Sequence, residues 1–370
     1  MIIRRFKAEN FRNIEYCDIE FKSGVNVLYG SNAQGKTNAV EGIYLFSRGR
    51  SFRASEDKEL VRFGADGFRI SIEYEDKDGV GSLEYALFGK ERRRKKNGYK
   101  INKVTEMVGN FRSVLFYPDN LGLVKDGPEE RRAFLNIAAS QCYPAYMRLY
   151  ADYKNALDNR NALLKLISKG GYVSDGELES WSYTMADYAA EIFSLRYDYT
   201  ERLKRYTRDI MLEISEGKEE IDLRYKSNID LSKGDLSKSF IKQEYRRILT
   251  ESTERECAAG VSLYGPHRDD IEIDINGRSA RLFASQGQQR SVVLALKLGE
   301  GEVNREIWGD HPVYLFDDVL SELDEKRRDF VLKSSGERQI IITTCEKDKV
   351  SFGDGEIIEV DGGRYVSSRR

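Results

Sequence analysis

Residues 30 to 37 read Gly30-Ser-Asn-Ala-Gln-Gly-Lys-Thr37 and match the G-x-x-x-x-G-K-[ST] pattern of a phosphate-binding loop at every defined position. The run before them, Gly24 to Tyr29, is apolar and predicts a short buried strand. After them, Val40, Ile43 and Phe46 recur at helical spacing. Strand, glycine-rich loop and helix is the setting in which such a loop binds phosphate, so the sequence predicts a nucleotide site in an α/β domain.

The residues of this loop have separate expected roles. Backbone N–H groups and the positive end of the helix dipole point at phosphate oxygens, Lys36 reaches the β- and γ-phosphates, and the Thr37 hydroxyl binds Mg²⁺. The flanking strand and helix disfavour the alternative, an ordinary glycine turn before a helix. The residues predicted to bind nucleotide here are Gly30, Ser31, Asn32, Ala33, Gln34, Gly35, Lys36, Thr37 and Asn38.

The composition is that of a soluble globular protein with room for two domains. The chain has 370 residues, of which 40% are hydrophobic and 33% are charged. No apolar stretch approaches the roughly 18 residues of a membrane span, and the start of the chain lacks the apolar core of a signal peptide. We therefore expect a cytoplasmic protein with no membrane partner.

Charge and cysteine usage argue against several kinds of site. The net charge of −2 gives no global sign of nucleic-acid affinity, so any such affinity must rest on local clusters. With only two histidines, histidine-based metal or triad chemistry is not expected. The cysteines are scattered without a C-x-x-C pair, which indicates neither a zinc site nor a disulfide framework; they are Cys17, Cys142, Cys257 and Cys345.

The N-terminal part of the chain is predicted to be rich in β-structure. Residues 68–75 alternate with period two, and residues 80–88 form the return strand of a hairpin. An Asn97-Gly98 turn separates residues 91–96 from residues 99–104, which predicts a second, strongly basic hairpin.

The middle of the chain changes to a helical period. Residues 146–167 and 178–210 each show three-four spacing, with glycines between them, so we expect two long antiparallel helices. A third helix is predicted near residues 239–254. Tyrosines along the helical stripe invite an interpretation as base-stacking groups, but aromatics at helical spacing more often form core, which we favour.

Strand and helix alternate again beyond residue 260. Residues 312–316 and 339–344 are apolar and predict two buried strands. We therefore expect one α/β domain that is split by an inserted helical arm. The predicted division gives residues 1–118 and 262–370 to the α/β domain and residues 119–261 to the arm.

Two acids follow the first of these strands directly. Asp317 and Asp318 fall at the carboxyl edge of the sheet, where ligands of open α/β sheets collect. The first can hold Mg²⁺ and the second can orient an attacking water, although two acids at a strand end are also common turn residues. The phosphate loop favours catalysis, so Lys36, Asp317 and Asp318 are predicted to be catalytic, with Thr37 and Asp317 as metal ligands.

A second anion site is predicted at Ser285-Gln-Gly-Gln-Gln-Arg290, which precedes a helix over residues 291–298. Serine and glycine at a helix start leave free amides that point outward. Alone, this pattern could be a plain N-cap. Beside a phosphate loop, an acidic strand end and a helical insertion, it is typical of the signature motif of an ABC-type ATPase head.

These segments together resemble the RecF family of DNA repair proteins, relatives of the SMC and ABC ATPase heads. The resemblance covers essentially the whole chain, and its most family-specific stretch is residues 118–135. Asn136 departs from the family pattern, which usually has aspartate there. The segments that carry the resemblance, besides the phosphate loop and the signature motif, are Asn10–Asn13, Phe116–Pro128, Arg131–Leu135, Gly265–Asp270 and Asp317–Asp324.

The resemblance implies an ABC/SMC-type P-loop ATPase head with an inserted helical arm, and ATP with Mg²⁺ between two subunits. One chain would supply the phosphate loop and Asp317, and the partner copy would supply the signature residues for the γ-phosphate: Ser285, Gly287 and Gln288. Asp318 stands where many ABC ATPases carry glutamate, so the water-polarising group is one methylene shorter and ATP hydrolysis is expected to be slow.

Other residues receive roles only from the resemblance. Arg12 and Asn13 resemble the amino-terminal nucleotide contacts of SMC-type heads, and Thr344 stands where many ABC ATPases have a sensing histidine. Asp324 resembles the acid that contacts the opposite subunit, so Asp324 and Ser285 are predicted dimer contacts. We assign no glutamine to the Q-loop.

The basic hairpin is the candidate DNA-binding segment. Lys90 and residues 92–96 put six cations in seven residues, a density that can contact several DNA phosphates. A solvated charge run that protects a sheet edge is the alternative. The resemblance favours DNA contact, and the residues concerned are Arg92, Arg93, Arg94, Lys95 and Lys96.

The resemblance implies a recombination mediator. Such a protein binds double-stranded DNA in an ATP-dependent way, acts at gapped junctions of single and double strands, and works with RecR and RecO to load recombinase. We predict that ATP closes a homodimer on DNA and that weak hydrolysis reopens it. Two alternatives are less favoured. A P-loop phosphotransferase is disfavoured because the chain lacks an Asn-Lys-x-Asp guanine motif. An ABC-type ATPase subunit of another complex, such as a transporter, is disfavoured because of the arm and the basic hairpin.

Overall fold

The computed structural model describes residues 1–229, 234–333, 336, 338–345 and 355–367. Contacts divide the chain into two compact units. We call them the head unit (Met1–Leu121, Tyr206–Glu220 and Ser285–Arg370) and the arm unit (Gly122–Arg205 and Ile221–Ala284). The domain boundaries predicted at residues 119 and 262 stay a prediction; contacts group the segment just after residue 262, up to Ala284, with the arm unit.

The elements are numbered in chain order. The strands are β1 (Ile2–Phe11), β2 (Ile14–Glu20), β3 (Val25–Tyr29), β4 (Gly67–Asp76), β5 (Gly79–Phe88), β6 (Glu91–Lys96), β7 (Tyr99–Ile101), β8 (Ser113–Phe116), β9 (Ile221–Lys226), β10 (Asp270–Ile275), β11 (Arg278–Ser279), β12 (Val313–Asp317), β13 (Ile340–Thr344), β14 (Glu356–Asp361) and β15 (Arg364–Ser367). The α-helices are α1 (Lys36–Arg48), α2 (Gly122–Lys125), α3 (Pro128–Cys142), α4 (Tyr146–Ile167), α5 (Glu177–Ile214), α6 (Lys238–Glu251), α7 (Thr253–Ala259), α8 (Ala280–Phe283), α9 (Gln286–Trp308) and α10 (Glu325–Lys333).

A mixed sheet in the head unit positions the candidate site. Its strand order is β15-β14-β3-β13-β12-β8, and all neighbours are parallel except the pair β14 and β15. The central strands β12 and β13 are buried at every position, as expected for parallel strands with both faces covered. The register pairs Thr344 with Tyr29 and Asp317 with Thr343, so the carboxyl ends of three strands lie side by side.

Helix α1 follows β3 through the phosphate loop. Its N-cap, Gly35, has φ 114°, a left-handed conformation that a side chain would strain, and its C-cap Gly49 donates to Leu45 O at 2.8 Å. Gly42 faces strand β1, where a Cβ would lie 2.6 Å from Cζ of Phe6. The helix therefore packs closely against β1, and it also contacts β12 and β13.

An antiparallel sheet of order β2-β1-β4-β5-β6-β7 occupies the N-terminal part of the head unit. Both predicted hairpins are confirmed, as β4 with β5 and β6 with β7. Strand β7 ends at Ile101, so the strand predicted to reach Val104 is too long. The Glu106 carboxylate accepts from the backbone N–H of Lys103 at 2.7 Å, which turns the chain into a 3-10 helix instead.

The two predicted long helices are α4 and α5, and their contacts within the arm unit show that they run antiparallel. Arg160 Nε on α4 bonds Ser182 Oγ near the start of α5 at 2.9 Å, while Arg196 Nε further along α5 bonds the Oη of Tyr146 at the start of α4 at 2.8 Å. The tyrosine stripe is core in part: Tyr146, Tyr153 and Tyr199 are buried, as predicted, whereas the other tyrosines of the stripe are half-buried, namely Tyr150, Tyr188 and Tyr206.

Buried polar groups join the arm helices to their neighbours. Arg160, which interrupts the apolar stripe, is fully buried and donates to Glu256 Oε2 at 2.6 Å. Asn136, the departure from the family pattern, accepts from Arg196 Nη2 at 2.8 Å and from Tyr146 Oη at 2.7 Å. The Asn136 side chain thus accepts the hydrogen bonds that an aspartate carboxylate would accept, but it carries no charge.

The remaining part of the arm unit differs from the sequence prediction. The helix predicted over 239–254 is two helices, because Ser252 ends α6 and serves as the N-cap of α7. Strands β9, β10 and β11 form a sheet that the sequence did not predict.

Among the described helices, none combines the length and apolar character required for a membrane span.

Candidate nucleotide site

The phosphate loop curls around its own lysine. Lys36 is buried, and its Nζ donates to Gly30 O at 2.6 Å and to Ser31 O at 2.7 Å. Ala33 and Gly35 both have positive φ, 65° and 114°, which bends the backbone between them into a concave turn. Successive amides in such a turn form the kind of nest that binds anions, so the loop has the shape that phosphate binding requires.

The two predicted metal ligands are in direct contact. Thr37 Oγ1 donates to Asp317 Oδ1 at 2.9 Å, and Thr343 Oγ1 donates to the same oxygen at 2.8 Å. Burial raises the pKa of Asp317, and these two hydrogen bonds act in the opposite direction. A carboxylate and a hydroxyl oxygen therefore converge beside the loop. No cluster of three or more His, Cys, Asp or Glu that could hold a metal occurs in the described ranges.

Asp318 lies next to this pair and is exposed. Its φ is 55°, in the left-handed region that few residues other than glycine, asparagine and aspartate adopt, and its N–H donates to Thr343 Oγ1 at 2.9 Å. Thr343 thus fixes both acids. The sequence prediction named its neighbour Thr344, whose backbone oxygen accepts from Gly30 N at 3.3 Å.

The predicted N-terminal contacts, Arg12 and Asn13, reach the loop in different ways. Asn13 Nδ2 donates to Ala33 O at 3.2 Å, and its Oδ1 accepts from Asn38 Nδ2 at 2.7 Å. Arg12 instead forms a bidentate ion pair with Glu41 on α1, at 2.7 and 2.9 Å. Glu41 was missed by the sequence prediction, since a helical glutamate gives no signal of a buried partner.

Two further neighbours of the loop were also missed. Cys345 Sγ lies 3.4 Å from Lys36 Nζ and 2.8 Å from Asn32 Oδ1. The β14–β15 hairpin backs the loop: Gly362 N donates to Gln34 Oε1 at 2.5 Å, Gly363 N to Gln34 O at 2.9 Å, and Tyr365 Oη to Gly35 O at 2.8 Å. The Asp361-Gly-Gly363 turn was the available signal for this hairpin.

Gly30 is needed because of the same hairpin. A Cβ at Gly30 would collide with the backbone oxygen of Val360 on β14. The first glycine of the motif therefore permits close packing of strands, a role separate from any contact with phosphate.

The signature segment has its own contacts. Ser285 is the N-cap of α9 and forms a capping box with Gln288, with bonds of 2.9 and 3.3 Å. Gln288 Nε2 also donates to Glu219 Oε1 at 2.9 Å, and Arg327 Nη2 donates to Gly287 O at 3.1 Å. Within the described part of the chain, no hydrogen bond joins residues 285–288 to the phosphate loop.

Asp324, the other predicted dimer contact, is paired within its own chain. Its carboxylate contacts the Arg327 guanidinium, whose Nε also bonds Ser291 Oγ at 2.9 Å. Arg327 therefore joins the predicted dimer acid to the signature helix.

The basic hairpin is partly neutralised. Arg92 pairs with Asp57 at 2.6 Å, Arg93 with Glu91 at 2.7 Å and Lys95 with Glu84 at 3.1 Å. Arg94 lies over the Tyr85 ring at 5.0 Å. Among the described residues, no ion pair is formed by Arg94, Lys96 or Lys90, nor by Lys100 on β7, so the unpaired charge of the hairpin lies on these side chains.

Comparisons with known proteins agree along the whole chain. The family described as RecF/RecN/SMC N terminal domain matches residues 2–361. A DNA replication and repair protein RecF of Acetivibrio thermocellus is 38% identical over 369 residues, or 98% of this chain and 99% of that protein. One of Halalkalibacterium halodurans is 36% identical over 367 residues, covering 98% of each.

Solved structures give the same result. A structure of the recombination mediator protein RecF-ATP in the RecFOR pathway has a TM-score of 0.92 at 34% identity, and covers 99% of this chain and 97% of its own. A RecF-ATPrS structure has a TM-score of 0.92 at 33% identity, covering 100% and 98%. The predicted ABC/SMC-type ATPase fold is therefore confirmed, and the chain belongs to the RecF family of DNA replication and repair proteins.

Proposed function

We propose that this chain is a cytoplasmic, ATP-dependent recombination mediator that dimerises on DNA when it binds ATP. The observation that carries the proposal is the division of the site. The phosphate loop and the Thr37–Asp317 pair lie together at one sheet edge, whereas the signature residues of the same chain, in its described part, have no hydrogen bond to them. A second copy would complete the site.

Within one copy, the loop amides and Lys36 bind the phosphates. The oxygens of Thr37 and Asp317, 2.9 Å apart, suit Mg²⁺, which favours oxygen ligands and keeps several waters. When bound, Mg²⁺ neutralises charge on the phosphates. Asp318, whose exposed carboxylate adjoins this pair, orients the attacking water; its short side chain supports slow hydrolysis, suited to a switch.

In the dimer, the partner's copy of α9 presents its N-terminus to the γ-phosphate. Its free amides and the helix dipole favour an anion, and the capping box keeps Ser285 and Gln288 in place. Arg327 bonds Gly287 O and pairs with Asp324, so Asp324 lies near the N-terminus of α9. ATP thus acts as the link between two heads, and its hydrolysis releases them.

DNA contact is assigned to the basic hairpin, led by the cations of residues 90–96 without a carboxylate partner in the described chain: Lys90, Arg94 and Lys96. The cations Arg92, Arg93 and Lys95 are themselves exposed, at 41 to 54%, and can exchange a carboxylate for a DNA phosphate. Double-stranded DNA and gapped junctions are the proposed substrates, and RecR and RecO type proteins the proposed partners, as the pathway named for the solved relatives suggests.

Sedimentation of the Ser285→Arg variant tests the proposal. We expect the variant to bind ATP as a monomer with unchanged affinity, because Ser285 lies outside the phosphate loop, and to form no dimer with ATP and duplex DNA. The wild-type chain should dimerise under the same conditions. ATP-dependent dimers of the variant, or a wild-type chain that stays monomeric with ATP and DNA, would contradict the proposal.

A further inference from the structure

Glu41 is a buried acid to which the proposed chemistry gives no task. It lies on α1, four residues after Thr37, and none of its surface is exposed. A charge in such a place needs close partners, since burying it alone is costly. Arg12 supplies two hydrogen bonds to its carboxylate, at 2.7 and 2.9 Å.

The same carboxylate holds the turn after α1. The Ser51 hydroxyl donates to Glu41 Oε1. As an acceptor, Ser51 Oγ binds the backbone N–H groups of Arg53 at 2.9 Å and Ala54 at 2.8 Å. A single hydroxyl therefore connects the buried charge of Glu41 to the backbone of the 51–54 turn.

The side chain of Arg53 points back towards the phosphate loop. Its Nη1 lies 3.7 Å from Glu41 Oε2 and donates to Asn38 Oδ1 at 3.0 Å, beside Thr37. It is 46% exposed, so a ligand can reach it. Burial raises the pKa of Asp317, and the Arg53 charge is among the effects that lower it, so the guanidinium lies within electrostatic reach of that acid.

We infer that Glu41 is a positioning residue that holds Arg53 beside the terminal phosphate of a bound nucleoside triphosphate and so sets the preference for ATP over ADP. Three contacts act together: Glu41 with Arg53 directly, Glu41 with the turn through Ser51, and Asn38 with the guanidinium. Arg12 balances the buried charge and keeps the carboxylate in place. The inference rests on the proposed ATP site and adds a cause for its selectivity.

A merely structural role of Glu41 predicts a different result. If Glu41 only stabilised the head unit, its loss would weaken ATP and ADP equally, since both use the phosphate loop. If it positions Arg53, ATP is weakened more, because only ATP has the phosphate that this cation would contact.

The test is calorimetric titration of the full chain with ATP and with ADP, both with Mg²⁺. We expect Glu41→Gln to lower the ratio of ATP to ADP affinity about tenfold, the loss of roughly one charge-assisted contact. Arg53→Gln should lower the ratio equally. Adding Glu41→Gln to Arg53→Gln should lower it no further, since the two substitutions remove the same contact.

Two more variants guard against misfolding. Glu302→Gln is the matched control, because Glu302 is also buried and pairs with two arginines, Arg305 and Arg338, away from the loop; its ratio should equal that of the wild type. If Glu41→Gln does not fold, Ser51→Ala decides, since it releases the turn and keeps the charge. It should lower the ratio about threefold.

The outcomes separate the two proposals. A wild-type chain that binds no ATP defeats the proposed function. If the wild-type chain binds ATP but Glu41→Gln leaves the ratio of ATP to ADP affinity unchanged or raises it, the positioning role of Glu41 is overturned and the proposed function stands. Ser51→Ala takes the place of Glu41→Gln if that variant does not fold. An additive double variant overturns it as well, because Glu41 would then act through something other than Arg53.

Discussion

The phosphate loop and the signature segment belong to the same head unit but are fixed by different kinds of neighbour. Gln34 is held by Gly362 from 328 residues away, and Thr37 by Asp317 from 280 residues away. The signature segment is held by a capping box between residues three apart, by Arg327, 40 residues from Gly287, and by Glu219, 69 residues from Gln288. The loop thus depends on the assembled sheet, whereas the signature segment depends on partners that are nearer in the sequence.

The largest expected effect on ATP binding comes from a substitution in the phosphate loop. Lys36→Ala removes the cation around which the loop closes, so ATP affinity should fall on the order of 100-fold and ATP-induced dimerisation with it. Calorimetry measures the first and sedimentation the second.

Asp318→Asn is the control for that variant. It should bind ATP as the wild type does and hydrolyse it more slowly, because its carboxylate contacts no loop residue among those described. Equal ATP affinity of Lys36→Ala and the wild type would mean that nucleotide binds elsewhere.

A medium effect is expected on the signature side. Arg327→Ala removes contacts with Gly287 and Asp324, so the ATP-dependent dimer should weaken about tenfold while monomer ATP affinity stays unchanged. Sedimentation over a range of protein concentrations measures the dimer constant.

Lys326→Ala is the matched control, since Lys326 precedes Arg327 and its one ion pair among the described residues is an exposed one with Glu216. We expect its dimer constant to equal that of the wild type. If Arg327→Ala weakens ATP binding by the monomer instead, the signature segment and the phosphate loop are not independent, which contradicts the comparison between them.

The smallest expected effect comes from the hydrogen bond between the β14–β15 hairpin and the phosphate loop. Tyr365→Phe deletes the hydrogen bond to Gly35 O and keeps the ring, so ATP affinity should fall roughly three- to fivefold, the worth of about one hydrogen bond. Tyr99→Phe, at an exposed position on β7, is the control. Unchanged affinity in Tyr365→Phe would mean that the hairpin covers the loop without holding it.

The sequence predicted what local patterns determine. The strand, loop and helix around Lys36, and the acids at the end of β12, follow from apolar runs and motif spacing. The choice between Thr343 and Thr344 does not, because adjacent strand residues face opposite sides and only the pairing of β12 with β13 shows which one meets Asp317.

Contacts between residues far apart in the chain could not be predicted from the sequence either. Glu41 reads as an ordinary helical acid until the β1–β2 turn brings Arg12 to it. Strand β9 pairs with β10 more than 40 residues later, for example Arg224 with Glu272, so no hairpin signal joins them. In both cases tertiary contact decides what local propensity leaves open.

The hydrogen bond from Tyr365 to Gly35 spans 330 residues, and this has a consequence for synthesis of the protein. At roughly 5–20 residues per second, a ribosome would need roughly 15 to 70 seconds between making the nucleotide cradle and making the strand that supports it. A nascent or interrupted chain therefore has a phosphate loop that lacks the Tyr365 hydrogen bond, and we expect it to bind ATP less tightly than a chain that includes β15.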